Sequence, residues 1–328
     1  MKPGEPDPAG DARWPAALVL ENGNIYRGEG YGARVESHGE VVFNTMWALD
    51  DSRPEERLVR ERCRFARMDV RISGRGISGG LSGAKDAILI DGGFSLPDGR
   101  AVVDAIRASG KTLTTIYISQ SDPDYYFSLA PIKAAFPSAK VLAASGTIAA
   151  IKASVEKKLA TWGPQLKENG PQSLADIVMP EAFDGPALHL EGHAIEIIPA
   201  QGLPNERYLW VPSLKAVVGG VLVFSGLHVW TADTATPQLR AAWVKNLDAM
   251  AARKPAVVVP GHMAVDAALD VSAVTYTRNY LLAFEEELAK AADSAALIAA
   301  MKQRYPNAGM SVALEIGAKV AKGEMKWG

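Results

Sequence analysis

Two short apolar runs constrain this chain most. They are the stretch Asp86–Phe94, "DAILIDGGF", and the stretch Thr112–Ser119, "TLTTIYIS". Neither alternates apolar with polar side chains. An uninterrupted apolar run of this length, closed by Gly or a polar turn, is a strand covered on both faces. Between them "DGRAVVDAIRASG" has helical spacing and ends at Gly110, a residue that stops helices. Further along, "YYFSLAPIKAAF" starts a helix, "AKVLAAS" is a strand and "GTIAAIKASVEKKLATW" a helix.

A second strand-rich half follows. "ALHLEGHAIEIIPA", "RYLWVPSLKAVVGG" and "VLVFSG" read as a meander, "TPQLRAAWVKNLDAMAARK" as a helix and "PAVVVPGH" as a strand ending in His262; the remainder is mostly helix. Two strand-rich halves, each followed by helices, predict an α/β fold with sheets packed face to face and helices outside.

The organisation splits near Met68. Residues 1–67 read as an N-terminal extension and linker, residues 68–328 as the main domain. Residues 1–15 carry Pro, Gly and Asp in a pattern that predicts disorder. Residues 16–46 read as short strands, with "ENGN" as a hairpin turn and "GEVVFNT" as a strand. The charged stretch 47–67 reads as a linker or a surface helix.

The bulk numbers exclude several classes. The 328 residues suffice for a sizeable core. A net charge of -2 gives no nucleic-acid footprint. No run reaches membrane-spanning length and the start is no secretory signal, so the expected location is cytoplasmic. The single cysteine, Cys63, leaves no intrachain disulfide and no cysteine zinc cluster.

Candidate chemistry concentrates in "YISQSDPDYY", Tyr117–Tyr126. Asp122 and Asp124 flank Pro123, which biases Asp122 to extended geometry. The bland reading is a turn that caps the next helix, whose N-terminus favours carboxylates. The functional reading is a pair of cleft carboxylates, one raising the pKa of the other. His228, in "SGLHVW", either lines a cleft or covers the core edge. Trp162, Trp210 and Trp230 are candidate pocket walls. His189 and His193 read as structural, and His38 as an exposed residue of the extension.

Strand–"DGG"–helix–strand–"SQSDPDYY"–helix, a late "VVGG" and a last strand ending "VVVPGH" resemble the metallo-β-lactamase superfamily. The resemblance spans about residues 68–328, roughly four fifths of the chain. It implies an αββα sandwich with an appended N-terminal strand-rich segment. The family's loop H-x-H-x-D-H falls here on Gln120, Asp122, Asp124 and Tyr125. Its third histidine falls on Gln201, its bridging aspartate on Gly220, and its final histidine is kept as His262. Only Asp124 and His262 match those ligands in kind, so a dizinc centre is not expected.

Three readings follow from the resemblance. One is a hydrolase of ester-like small molecules (lactone, carboxylic ester or phosphotriester) with one divalent metal between Asp122, Asp124 and His262, helped by Gln120 or Gln201, and with Tyr125 donating to an oxyanion. The second is a metal-free enzyme in which Asp122 or Asp124 is base or nucleophile and His262 its acid–base partner. The third is a non-catalytic relative that binds a small ligand or partner. The helical tail would cover the cleft or form a homodimer face. Residues 17–46, separately, resemble the N-terminal edge of the carbamoyl-phosphate synthetase small subunit. The simplest account of that likeness is a fused fragment that adds no such chemistry.

Overall fold

A computed structural model describes residues 80–264 and 267–327 with their side chains, and before them the backbone of five strand segments. The chain forms two compact units, Met1–Leu49 and Asp50–Gly328. In the first, β1 (Trp14–Val19) and β2 (Ile25–Gly30) pair antiparallel with Val19 opposite Ile25. This is the hairpin that "ENGN" predicts. The expected strand at "GEVVFNT" and His38 lie outside the described residues.

The second unit begins with a seven-stranded sheet, in chain order β3 (Cys63–Phe65), β4 (Met68–Ile72), β5 (Gly79–Ser82), β6 (Asp86–Ile90), β7 (Thr112–Ile118), β8 (Lys140–Ala143) and β9 (Glu181–Ala182). The first four strands are antiparallel neighbours; β6 to β9 run parallel. Cys63 therefore sits in a sheet strand, where the charged stretch 47–67 had read as linker or helix. Its strand is paired to β4 through Cys63–Val70, a long-range contact that local composition does not announce.

The second sheet joins β10 (Ala187–Leu190), β11 (His193–Pro199), β12 (Arg207–Val211), β13 (Ala216–Val218) and β15 (Val257–Val258). A separate ribbon pairs β14 (Phe224–Ser225) with β16 (His262–Met263). The run "PAVVVPGH", read as one strand, is thus two. Pro260 and Gly261 break it, and His262 is carried onto the ribbon. His189 and His193 lie on the paired strands β10 and β11.

Side-chain alternation explains the layers. Ile88, Ile90 and Tyr117 meet Leu188, Ile195, Leu209 and Val218 of the other sheet. Leu89, Ile116 and Ile118 point the opposite way, onto a core shared with α1 (Leu96–Ser109), α2 (Pro123–Tyr126), α3 (Leu129–Ala135) and α4 (Ser145–Leu166). Trp210 and Val217 of the second sheet share a third core with α5 (Pro237–Ala252), α6 (Val271–Lys290), α7 (Ser294–Arg304) and α8 (Ser311–Ala321). The order is helices, sheet, sheet, helices, the expected αββα sandwich. The stretches Ala87–Ile90 and Ile116–Ile118 are apolar without interruption because each of their faces enters a different core. Among the described residues no helix is long and apolar enough to cross a membrane.

Local signals set the frame around the site. Ser95 and Asp98 form a reciprocal capping box at the start of α1, and Gly110 ends that helix at φ 67°. The turn after β6 puts Asp91 at φ 61°, a conformation that Asp tolerates better than most residues.

Candidate active site

The loop after β7 is held from below by a buried three-point latch. Asp91 is fully buried, and its two carboxylate oxygens accept from Ser119 N–H and Ser119 Oγ–H, each at 2.7 Å. The same Oγ accepts from Gly220 N–H at 2.8 Å. One hydroxyl thereby ties together the turns after β6, β7 and β13. Burial raises the Asp91 pKa to about 7, against the opposing pull of the Ser119 hydrogen bonds.

Above the latch, Asp122 is extended (φ −80°, ψ 151°) and Pro123 opens α2, as the residue before a proline should. The expected cap does not form. Asp122 makes no side-chain cap hydrogen bond and pairs instead with Lys158 Nζ of α4 at 2.9 Å. Lys158 also donates to the carbonyl of Ser121.

Asp124 lies on the next turn of chain. Its Oδ2 stands 3.5 Å from Nε2 of His262 on β16, with side-chain exposures of 19% and 12%. The His262 ring stacks on Phe224 of the neighbouring strand, centroids 4.9 Å apart. Burial raises the Asp124 pKa to about 8, and the charge of Asp122 adds to the shift. Burial lowers the His262 pKa to about 4. Between those values the pair holds a single proton, with burial favouring the uncharged arrangement of carboxylic acid and neutral imidazole.

The other expected site residues go elsewhere. Gln120 is 4% exposed; its amide donates to Glu206 Oε1 at 2.7 Å and its own Oε1 accepts from Ser121 N–H. Tyr125 is fully buried in the helix-side core, and its hydroxyl has no hydrogen-bond partner. It does not open into a cleft as an oxyanion donor would. Gln201 is exposed, and its backbone is clamped to Asn246 of α5 through two 2.9 Å hydrogen bonds. His228 is buried at 1% exposure with Nδ1 2.9 Å from Tyr280 Oη. It serves the core, not the pocket. Gly220 has φ +76°, and a Cβ there would lie 2.0 Å from the carbonyl oxygen of Arg207, so the position admits no side chain.

The expected metal set does not assemble. Asp122 is drawn to Lys158 while Asp124 is drawn to His262. Among the described residues no group of three or more His, Cys, Asp and Glu is placed to hold a metal ion.

A cavity of about 180 Å³ opens beside this loop. Gln120, Ser121 and Asp122 supply one wall and Leu203–Glu206 another; Val221, Leu222, Trp230, Asp233, Thr234 and Trp243 complete it. Trp230 is among the residues lining this cavity. Asp124 and His262 are not part of that lining. Glu206 and Asp233 were missed: Glu206 stands in the loop before β12 and Asp233 in a single 3-10 turn, Ala232–Thr234, with no motif around either, and only the fold brings them near Asp122. Burial raises the Glu206 pKa to about 8, and the charge of Asp122 pushes it the same way. Asp233 is raised by burial and then by Asp122 as well. Asp233 accepts from both Trp230 Nε1 at 2.6 Å and Trp327 Nε1 at 3.0 Å.

No family model matches the chain. Two solved structures similar to it are a β-lactamase domain protein from Burkholderia ambifaria and a double mutant of the sec-alkyl sulfatase PisA1. The first has a TM-score of 0.52 at 13% identity, covering 77% of this chain and 84% of that one. The second has a TM-score of 0.51 at 13% identity, covering 78% of this chain and 49% of that one. The fold is the metallo-β-lactamase fold. A shared fold at such identity fixes architecture and not chemistry. A separate stretch of 31 residues is 64% identical to the carbamoyl phosphate synthase small chain of Chlorobaculum tepidum. It covers 10% of this chain, and the chain spans only 8% of that protein's length.

Proposed function

We propose that this metallo-β-lactamase-fold protein is a hydrolase of ester-type bonds (lactone, carboxylic ester or phosphotriester) that uses Asp124 and His262 as its acid–base pair. The observation that carries the reading is the Asp124–His262 geometry: two partly exposed side chains 3.5 Å apart, with pKa values displaced in opposite directions so that one proton is shared near neutral pH. Pairs of titratable groups pushed apart in this way suit proton transfer. The structural neighbours, a β-lactamase domain protein and a sulfatase, are in keeping with a hydrolase.

In this reading the resembled family's metal ligands other than Asp124 and His262 have been replaced. Gly220 excludes a bridging carboxylate, Gln120 is committed to Glu206 and Tyr125 to the core. The residues present do not fit the dizinc group, and no step is assigned to one. His262, neutral, takes a proton from water as the water oxygen bonds to the acyl or phosphoryl centre. Asp124, as the acid, gives its proton to the departing oxygen as that bond breaks. Asp122, held by Lys158, faces the adjoining cavity and positions the rest of the substrate.

Turnover of a lactone, an aryl ester and a phosphotriester, measured for the wild type, Asp124→Asn and His262→Gln, tests this. Turnover of at least one that both substitutions abolish supports it. Turnover that survives both would remove the pair from the mechanism.

A second reading, a non-catalytic ligand-binding protein, is supported by the cavity lying beside the pair and not over it. It predicts ligand-dependent stabilisation with no turnover of any of the three substrates.

A further inference from the structure

We infer that Lys158 is a positioning residue: its ammonium holds the Asp122 carboxylate at the cavity wall, off the Asp124–His262 pair, and so keeps a divalent metal from assembling there. The two carboxylates of this loop are separated by Pro123 alone, yet they have different partners. Asp124 faces His262. Asp122 makes no cap hydrogen bond to α2; its carboxylate is paired with Lys158, Nζ standing 2.9 Å from Oδ1. The same Nζ donates to the carbonyl of Ser121 at 2.8 Å. Acceptors on two consecutive residues are thus gripped by one cation, and both residues line the cavity.

The grip starts from a fixed backbone. Lys158 sits on α4, a helix of 22 residues, and Val155 and Leu159 on either side of it are buried in the helix-side core. Ser121 is held from the other direction: its N–H donates to Gln120 Oε1 at 2.6 Å, and Gln120 is tied to Glu206. A lysine is a point charge on a flexible stem, and two acceptors make its position definite. Without the ammonium, Asp122 would be a bare carboxylate beside the pair, for its charge already acts on both Asp124 and His262. Two carboxylates and an imidazole are ligands a divalent ion takes up, at about 2.0–2.2 Å. The ammonium supplies the counter-charge to Asp122 instead, and it repels a second cation from the same oxygen.

Where it concerns turnover, the inference rests on the hydrolase reading, in which Asp122 positions the substrate; where it concerns metal exclusion it does not, and the test separates the two. The full chain is titrated calorimetrically with zinc as wild type, Lys158→Met, Lys158→Arg and the double variant Lys158→Met/Asp122→Asn. Lys158→Met keeps an unbranched stem and drops the charge; it should bind zinc at least about ten-fold more tightly than the wild type. Lys158→Arg should bind zinc like the wild type, and the double variant should lose the gain. Zinc binding in Lys158→Met no tighter than in the wild type overturns the inference. So does a gain that survives Asp122→Asn, or an equal gain in Lys158→Arg. If Lys158→Met does not fold, Lys158→Gln, which is neutral but retains an N–H donor, takes its place. Turnover of the ester panel is the second readout: Lys158→Met should raise KM several-fold and Lys158→Arg should restore it, and an unchanged KM overturns the positioning of Asp122. A wild type without turnover removes the hydrolase reading and leaves the zinc titration to decide alone.

Discussion

Asp124 Oδ2 and His262 Nε2 stand 3.5 Å apart, joined across the fold by α2 of the first half and β16 of the second. The distance is longer than a formed hydrogen bond, and catalytic contacts often tighten only when substrate arrives. The displaced pKa values frame the activity profile. Turnover should be bell-shaped, rising through about 4 as His262 loses its proton and falling through about 8 as Asp124 loses its own. Asp124→Asn and His262→Gln should each lower kcat by about 10²–10⁴-fold. A kcat–pH profile on the wild type checks the limbs, and a flat profile from pH 5 to 10 would contradict the assignment.

The same shifts bear on stability. Asp124 and Glu206 are both raised to about 8 in the folded chain. A carboxyl whose folded pKa is raised contributes stability that is whole below its unfolded pKa and is lost as pH climbs to the folded one. The protein should therefore lose stability between about pH 5 and pH 8 through these groups. His262, lowered to about 4, acts oppositely: its contribution disappears as pH falls from about 6.5 to 4. Asp124→Asn should flatten the loss between pH 5 and 8 by ~1–3 kcal/mol. Urea unfolding at the two pH values measures it.

The latch at Ser119 should be costly to break. Ser119→Ala removes a donor to Asp91 and an acceptor for Gly220, leaving two buried polar groups unsatisfied. A loss of about 2–4 kcal/mol is expected. Because the latch sits under the Asp122–Asp124 loop, kcat should fall as well in the protein that remains folded. Chemical denaturation with an active-site titration would separate the two effects.

Gly220 should tolerate no side chain. At φ +76° with the Arg207 carbonyl 2.0 Å from a would-be Cβ, Gly220→Ala should cost more than about 3 kcal/mol. Gly220→Asp, which would supply the carboxylate of the resembled family, should fare worse and restore no metal site. Thermal unfolding and metal content of both variants check this.

Chelation should be without effect. With Asp122 turned to Lys158 and no three-ligand group among the described residues, prolonged dialysis against a strong chelator should leave turnover and melting temperature within error of the untreated protein. Loss of activity that is regained on adding a divalent metal would require ligands to converge that here stand apart.

Much of the architecture was legible in order along the chain. "DAILI" and "TLTTIYI" announced buried strands because both faces of each enter a core, and a residue's neighbours in sequence report that directly. Gly110 marked the end of α1, and Pro123 the extended Asp122, because these are properties of one residue's backbone. The split of "PAVVVPGH" at Pro260 and Gly261 was also written locally but lay under a continuous apolar pattern. The Asp122 cap failed for another reason: Lys158, 36 positions away, offered the carboxylate a charged partner.

What the sequence determined by itself was the order of strands and helices, because periodicity reports which faces of each run are covered. Only the tertiary structure decided what each polar side chain does. It buried Tyr125 and His228 in separate cores, spent Gln120 on Glu206, and gathered Glu206 and Asp233 from motif-free chain around one cavity. Hydrogen bonds and charge pairs between distant residues are set by packing, and no short stretch of sequence encodes which partner wins.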